Sequence, residues 1–185
     1  MAQARIALLV YNRPEHTKQT VAALLKNNLA AESALFIFSD APKDAAAEAG
    51  VAAVRKYVNA LTGFADVIVT TSSENRGLAK SIIGGVNKIL ATHDRVIVLE
   101  DDLVTSPYFL QYMNDALELY KDADTVASIH GYVYPVRESL PETFFIRGAD
   151  CWGWATWKRS WDMFELDGNK LLRELEGKKL MRAFD

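Results

Sequence analysis

Three acids stand in a row at Glu100-Asp101-Asp102, directly after the apolar run Val96-Ile97-Val98-Leu99. Three adjacent carboxylates lose hydration if buried together, so they must meet a cation or stay at the edge of water. Oxygen donors of this kind suit a hard divalent ion, which commonly keeps waters and substrate phosphates as its remaining ligands. The plainer alternative is an acidic loop at a strand end. Alternation along an extended chain sends Glu100 and Asp102 to one side and Asp101 to the other.

Other polar groups follow apolar runs in the same way: Tyr11-Asn12-Arg13, Ser39-Asp40 and Asn75-Arg76-Gly77. Asp40 can accept hydrogen bonds from a base or ribose, or simply cap the turn before Pro42. Arg13 can meet a phosphate or stay solvated. Asn75 and Gly77 can be a turn and a helix start, although Gly77 also lets a ligand approach the backbone closely. There is no glycine-rich phosphate loop of the Walker type, nor the glycine fingerprint of dinucleotide binding after the first strand. Phosphate would therefore rest on helix N-termini and a bound cation.

The elements that must position these groups are legible from periodicity. Ile6–Val10, Leu35–Phe38, Val67–Val69 and Val96–Leu99 read as strands buried on both faces. Between them lie stripes at helical spacing: Val21, Leu24, Leu25 and Leu29; then Ala47, Val51, Val54, Val58 and Leu61; then Leu78, Ile82, Val86, Ile89 and Leu90. Pro14 suits a first helical turn with Asn12 or Arg13 at the cap, and Asp44 can cap the second helix. Ser106-Pro107 reads as cap and first-turn proline of a helix carrying Phe109, Met113, Leu117 and Tyr120. Thr125–Ile129 reads as a fifth strand. Strands alternating with helices define an α/β domain with a mainly parallel sheet. Right-handed crossovers bring the strand ends, and hence the polar clusters, to one edge, where open α/β sheets bind ligands.

The totals fit that frame. At 185 residues the chain reads as one domain with room for a real core. A net charge of -3 argues against a general nucleic-acid binder, and the lone Cys151 excludes a disulfide framework or cysteine metal cluster. Cys151 reads as a packed thiol. Met1-Ala2-Gln3-Ala4-Arg5 lacks the apolar stretch of a signal peptide, and no run reaches the length of a membrane span. The chain is expected to be cytoplasmic, at most peripheral to a membrane. Leu171 to Asp185 is amphipathic and ends without a capping glycine, as in a fragment of something longer.

From Pro135 the alternation breaks. Phe144-Phe145-Ile146 reads as a further strand. All four tryptophans lie between Trp152 and Trp161, and helical spacing would put Trp154, Trp157 and Trp161 on one face. They either wall a second small core or offer a stacking platform for sugar rings, whose apolar C–H faces suit aromatic planes. His16, His93 and His130 lack metal-ligand spacing; His130 reads as a satisfied histidine near the sheet mouth.

The ordered set Val10-Tyr11-Asn12-Arg13-Pro14, Phe38-Ser39-Asp40, Asn75-Arg76-Gly77-Leu78-Ala79 and Val98-Leu99-Glu100-Asp101-Asp102-Leu103 resembles the nucleotide-sugar-binding half of a GT-A glycosyltransferase close to family 2. It is also similar to the animal N-acetylglucosaminyltransferase I type, which carries Glu-Asp-Asp in place of Asp-x-Asp. The resemblance implies a GT-A-like, Rossmann-type α/β/α sandwich, with residues 1–130 as the nucleotide-sugar-binding half and residues 131–185 as a truncated acceptor-side segment. Tyr11, Asn12 and Arg13 with Asp40 would hold the nucleoside, most simply uridine. Asn75, Arg76 and Gly77 would line the donor pocket. Asp102 would bind Mn²⁺ or Mg²⁺, and Glu100 and Asp101 would accept hydrogen bonds from sugar and ribose hydroxyls. Trp152 and Trp154 would face the acceptor, a glycan or glycolipid. The implied reaction inverts the anomeric centre, with a carboxylate base; Asp150 is the best candidate in this chain, ahead of Asp162 and Glu165.

Three other functions are compatible with such a sheet. A sugar nucleotidyltransferase would want a glycine-rich loop with arginine after the first strand, where Tyr11-Asn12-Arg13-Pro14 stands instead. A phosphoacceptor signalling domain would carry its acid pair after the first strand rather than the fourth. A non-catalytic nucleotide- or carbohydrate-binding module remains if no base exists.

Overall fold

A computed structural model describes residues 3–184; Met1, Ala2 and Asp185, from the leading segment and the amphipathic tail, lie outside them. Four parallel strands come first: β1 (Arg5–Val10), β2 (Ala34–Ser39), β3 (Asp66–Thr71) and β4 (Arg95–Glu100). They alternate with α1 (Pro14–Leu25), α2 (Ala45–Val58) and α3 (Leu78–Leu90). After α4 (Phe109–Leu119) come two short strands, β5 (Ser128–His130) and β6 (Trp154–Trp157). The tail forms α5 (Lys158–Trp161), α6 (Gly168–Gly177) and α7 (Met181–Phe184). The sheet order is β3-β2-β1-β4-β6-β5, parallel from β3 to β4, with β6 antiparallel to both its neighbours.

Alternation along the central strands sorts the core into two layers. Ile6, Leu8, Val10, Ile97 and Leu99 pack with Val21 and Leu24 of α1, Val54 and Val58 of α2, and Leu110, Met113 and Leu117 of α4. Ala7, Leu9, Val96 and Val98 face the other way, against Val86, Ile89 and Leu90 of α3. Each side chain of Leu or Ile size withdrawn from water contributes roughly 1.5–3 kcal/mol. The first two crossovers step outward from β1 to β3, and the third returns to place β4 on the far side of β1. The chain thus reverses direction of winding between β1 and β4, and that gap is where doubly wound sheets take their ligands.

Several elements differ from the sequence-based expectation. Phe144, Phe145 and Ile146 lie in exposed irregular chain rather than a strand. The fifth strand is shorter, begins at Ser128 and sits at the antiparallel edge. Trp154 and Trp157 belong to a strand, not a helix, so their three-residue spacing sends them to opposite faces. Trp154 stacks on Trp161 on the α3 side, while Trp157 is buried on the α4 side and donates its indole N–H to the Leu117 carbonyl at 3.0 Å. Leu78 is 57% exposed, because it opens α3 at the sheet mouth rather than continuing the buried stripe. Cys151 is exposed, not packed.

The start of α4 also differs. The helix begins at Phe109, two residues beyond Pro107, and its cap comes from a distant buried side chain. Asn27 accepts a hydrogen bond from the Leu110 amide at 2.9 Å and donates to Ala23 and Thr105. Asp44 caps α2 as expected, accepting from the Ala47 amide.

Gly50 of α2 is the point where this helix meets the loop after β1. A Cβ there would lie 2.5 Å from the Asn12 carbonyl oxygen. Alanine at this position gains up to about 1 kcal/mol of helix propensity, but the contact is with backbone and cannot yield cheaply. Gly50→Ala is therefore expected to lower stability by about 1–3 kcal/mol, the usual range for overpacking. Urea unfolding of the variant beside the wild type measures this.

Candidate functional site

The loops after β1 and β4 meet at the carboxyl end of the sheet through one guanidinium. Arg13 is the N-cap of α1, but its side chain caps nothing in that helix. One of its terminal nitrogens donates to Asp101 Oδ1, and the other to Asp102 Oδ2 at 3.0 Å. Asp101 is 3% exposed, and its second oxygen accepts the Tyr11 amide at 3.3 Å. The extended alternation of the acids stops at Glu100, where the strand ends and the chain turns. Asp101 points inward to the β1 loop, while Asp102 sits on the exposed rim. Burial pulls the Arg13 guanidinium down, and its pairing with Asp101 and Asp102 outweighs this, so its pKa is raised overall.

Glu100 is different. Its carboxylate is partly buried, faces the cleft and has no hydrogen-bond partner among the described residues. Burial raises its pKa above the ordinary 4.5, and the negative charges of Asp102 and Asp101 add to this, with Arg13 offsetting part.

The opposite wall of the cleft is organised by Asp40, which is 8% exposed. Its two oxygens accept from the amides of Ala41, Arg76 and Gly77 at 2.9–3.1 Å. The carboxylate thereby ties the end of β2 to the turn that opens α3. Asn75 donates to the Ala41 carbonyl at 2.7 Å and closes the same turn. Gly77, the N-cap of α3, holds φ +74 with open space around its Cβ position, so backbone conformation rather than room selects glycine there. The Tyr11 hydroxyl accepts the Lys43 amide at 2.9 Å.

Together these groups enclose a cleft of about 320 Å³. Tyr11, Arg13, Asp40, Asn75, Gly77, Glu100 and Asp101 line it. Asn12 instead packs beneath Gly50, Arg76 contributes its amide to Asp40 while its side chain is exposed, and Asp102 stands outside on the rim. Lys43, Leu78 and Ser81 also line the cleft and were not anticipated. Nor was Arg55, whose guanidinium in the last turn of α2 donates to Ser39 Oγ and to the carbonyls of Asp40 and Ser72. Its signal was present: Arg55 follows Val51 by four residues, on the edge of the buried stripe, where a cation needs partners.

Asp150, Trp152 and Trp154 lie at the other flank of β4. Trp154 is half-buried in the sheet. The antiparallel register with β4 ends where Val98 pairs with Trp154. Trp152 packs with Tyr132 and Tyr134, ring centroids 4.8 and 5.5 Å away, and all three rings are partly open to solvent. Asp150 accepts the Trp152 amide at 2.8 Å and the Tyr134 hydroxyl, and these bonds, the Trp152 amide first, hold its pKa below the ordinary carboxylate value. His130 accepts the Asp150 amide at 3.3 Å and shares a hydrogen bond with Ser128 Oγ; burial lowers its pKa, and a nearby Asp150 charge acts against this. Asp162 and Glu165 pair with Lys158 and Lys170 on the surface.

The description "glycosyl transferase family 2" matches residues 6–174 of the sequence. The chain belongs to glycosyl transferase family 2. Among solved structures it is similar to a candidate nucleotide-diphospho-sugar transferase from Desulfovibrio desulfuricans G20, with 12% identity over 96% of this chain and 78% of that one, at a TM-score of 0.51. That likeness is one of fold, the GT-A type of α/β sandwich. Smaller overlaps occur with a mannosyltransferase of Pyrobaculum calidifontis solved with GDP-Man and Mn²⁺ (16% identity, 68% of this chain, 34% of that one, TM-score 0.47) and with S. aureus TarS (17%, 71%, 23%, 0.46). The chain thus spans about a third and a quarter of those two proteins. No curated protein matches the sequence. Among the described residues no helix is long and apolar enough to cross a membrane.

Family 2 membership raises the question of a divalent ion, and the donor set can be tested against it. Among the described residues no three His, Cys, Asp or Glu side chains converge to hold a metal by themselves. What the site offers is sparser: Glu100 and one oxygen of Asp102 carry no hydrogen bond, and three carboxylates face one guanidinium. Such a set fits a hard cation that completes its shell with water and substrate phosphates.

Two outcomes test this geometry. Asp40→Asn replaces an oxygen by an amide nitrogen opposite backbone N–H groups, leaving buried donors unpaired. It is expected to cost about 1–3 kcal/mol and to speed hydrogen exchange at the Arg76 and Gly77 amides. Glu100 has a folded pKa above its unfolded value, so its stabilising contribution is full below the unfolded pKa and is lost as pH rises through the folded one. Glu100→Gln should therefore be more stable than the wild type at pH 7, with the difference shrinking as pH falls toward 4.5 and below. Denaturant titrations across pH 4–8 read both the sign and the window.

Proposed function

We propose that this chain forms the donor-binding part of a metal-dependent glycosyltransferase that moves a sugar from a nucleoside-diphosphate donor, UDP in preference, to a hydroxyl of a glycan or glycolipid, with inversion. The observation that carries the proposal is the cleft between the β1 loop and the Glu100-Asp101-Asp102 turn, with its one guanidinium and one unpaired carboxylate.

In this reading Asp102, assisted by Glu100, holds Mn²⁺ or Mg²⁺. The cation supplies positive charge to the departing diphosphate. Tyr11 and the turn anchored by Asp40 shape the nucleoside end of the cleft, with Asn75 and Gly77 forming its wall. Asp40 acts mainly by positioning, since its oxygens are already occupied by amides. Glu100 is the carboxylate in the cleft with acceptor capacity to spare, which suits donor-sugar hydroxyls. Tyr132, Tyr134 and Trp152 lie along the β4 flank beyond Glu100 and offer ring faces to an acceptor pyranose. Asp150 orders that aromatic corner. A carboxylate held below its ordinary pKa by hydrogen bonds is a weak proton acceptor, so we assign it this role ahead of the general base.

Calorimetric titration of UDP and GDP, with and without Mn²⁺, tests the reading. Binding should require the metal, and Asp102→Ala should weaken the metal-dependent part by more than about tenfold. Failure of the folded wild-type chain to bind either nucleotide with Mn²⁺ would remove the donor-site assignment.

A further inference from the structure

Arg13 bridges two carboxylates whose surroundings differ. The side chain of Asp101 is 4% exposed and also receives the Tyr11 amide, so breaking that arm would strand a buried charge. The side chain of Asp102 is 40% exposed, and its contact with Arg13 is a single 3.0 Å bond to a guanidinium itself 43% exposed. An ion pair that open to water contributes little and is easily exchanged. The two arms are thus unequal: one is an anchor and the other is releasable.

We propose that Arg13 is a releasable counter-ion that occupies Asp102 in the absence of donor and couples metal binding to nucleotide binding. The proposal rests on the donor-site reading above. A divalent cation that takes both oxygens of Asp102 must displace the outer arm of Arg13, which holds one of them. It then stands beside a guanidinium that stays fixed on Asp101, and the two positive charges repel. A diphosphate entering the cleft reverses the sign of that interaction. Its oxygens would attract both the cation and the guanidinium, and the Arg13 nitrogen released from Asp102 would be free to donate to them. Metal alone therefore binds weakly, metal and nucleoside diphosphate bind together, and each must tighten the other by the same factor. No bond is made or broken covalently; one ion pair is exchanged for two.

The experiment is a titration of free Mn²⁺ by electron paramagnetic resonance on the full chain, alone and with saturating UDP or GDP. The variants are Arg13→Gln, which keeps a hydrogen-bond donor for Asp101 without the charge, and Arg13→Lys, whose compact ammonium cannot span both carboxylates. Thermal unfolding identifies which variants are folded. In the wild type the nucleotide should tighten Mn²⁺ about 5- to 150-fold, the ordinary range for coupled ligands. In either folded variant Mn²⁺ alone should bind more tightly than to the wild type, and the nucleotide effect should shrink. If the wild type shows nucleotide-assisted Mn²⁺ binding but a folded variant binds Mn²⁺ alone no better, Arg13 is not a counter-ion in competition and the proposal falls by itself. If the wild type shows no nucleotide effect, the donor-site reading falls with it.

Discussion

Placing acids at the end of a fully buried strand creates a charge problem, and the ion pair between Arg13 and Asp101 solves it. Asp101 is nearly without solvent, and its carboxylate oxygens are satisfied by the guanidinium and the Tyr11 amide. Both partners come from the loop after β1, so that loop has to lie against the end of β4. The neighbouring parallel register of β1 and β4, with Leu9 opposite Glu100, brings them within reach. The third crossover, which returns the chain across β1, is what makes the two strands neighbours. Removing charge from Asp101 would relieve the constraint but would leave Arg13 and the β1 loop without their anchor.

The second wall of the cleft depends on a similar economy of backbone groups. Asp40 absorbs amides from the turn before α3, while Arg55 absorbs carbonyls from the ends of β2 and β3. One anion and one cation thus satisfy the donors and acceptors that a sheet edge leaves unpaired. The walls of the cleft are held by backbone groups, so Glu100 within it and Asp102 on its rim retain free acceptor atoms. The carboxylates with spare acceptor atoms and the groups that pair strand-end backbone are different residues.

The strands and helices of residues 5–119 were legible because their periodicities are clean and each turn carries its own punctuation. The clustering of Tyr11, Arg13, Asp40, Asn75, Gly77, Glu100 and Asp101 followed from topology alone, since parallel strands share one carboxyl edge. What was not legible depends on partners distant in sequence. Asn27 caps α4 from 83 residues away, and nothing near Ser106 announces it. The tryptophans at 154, 157 and 161 satisfy helical spacing, yet pairing with β4 and β5 makes the first two a strand. Their neighbours, not their own pattern, decide the conformation. Arg13 reads as solvated or phosphate-binding on its own; only the meeting of two loops shows that it is committed to carboxylates.

The insertion of β6 between β4 and β5 has a consequence for the order of events during synthesis. The partner of β4 on one side, β1, precedes it in the chain, but its other edge has no partner until residues 154–157 are made. For that interval the strand bearing the acids has an open ladder of unpaired N–H and C=O groups, next to an apolar surface. A nascent chain at this stage is exposed to mispairing with other strands, and the long intervening segment makes closure slow. The lateral edge of the acid-bearing strand is therefore among the last parts of the sheet to be sealed, and a chaperone protecting it during synthesis would act on the β4 flank.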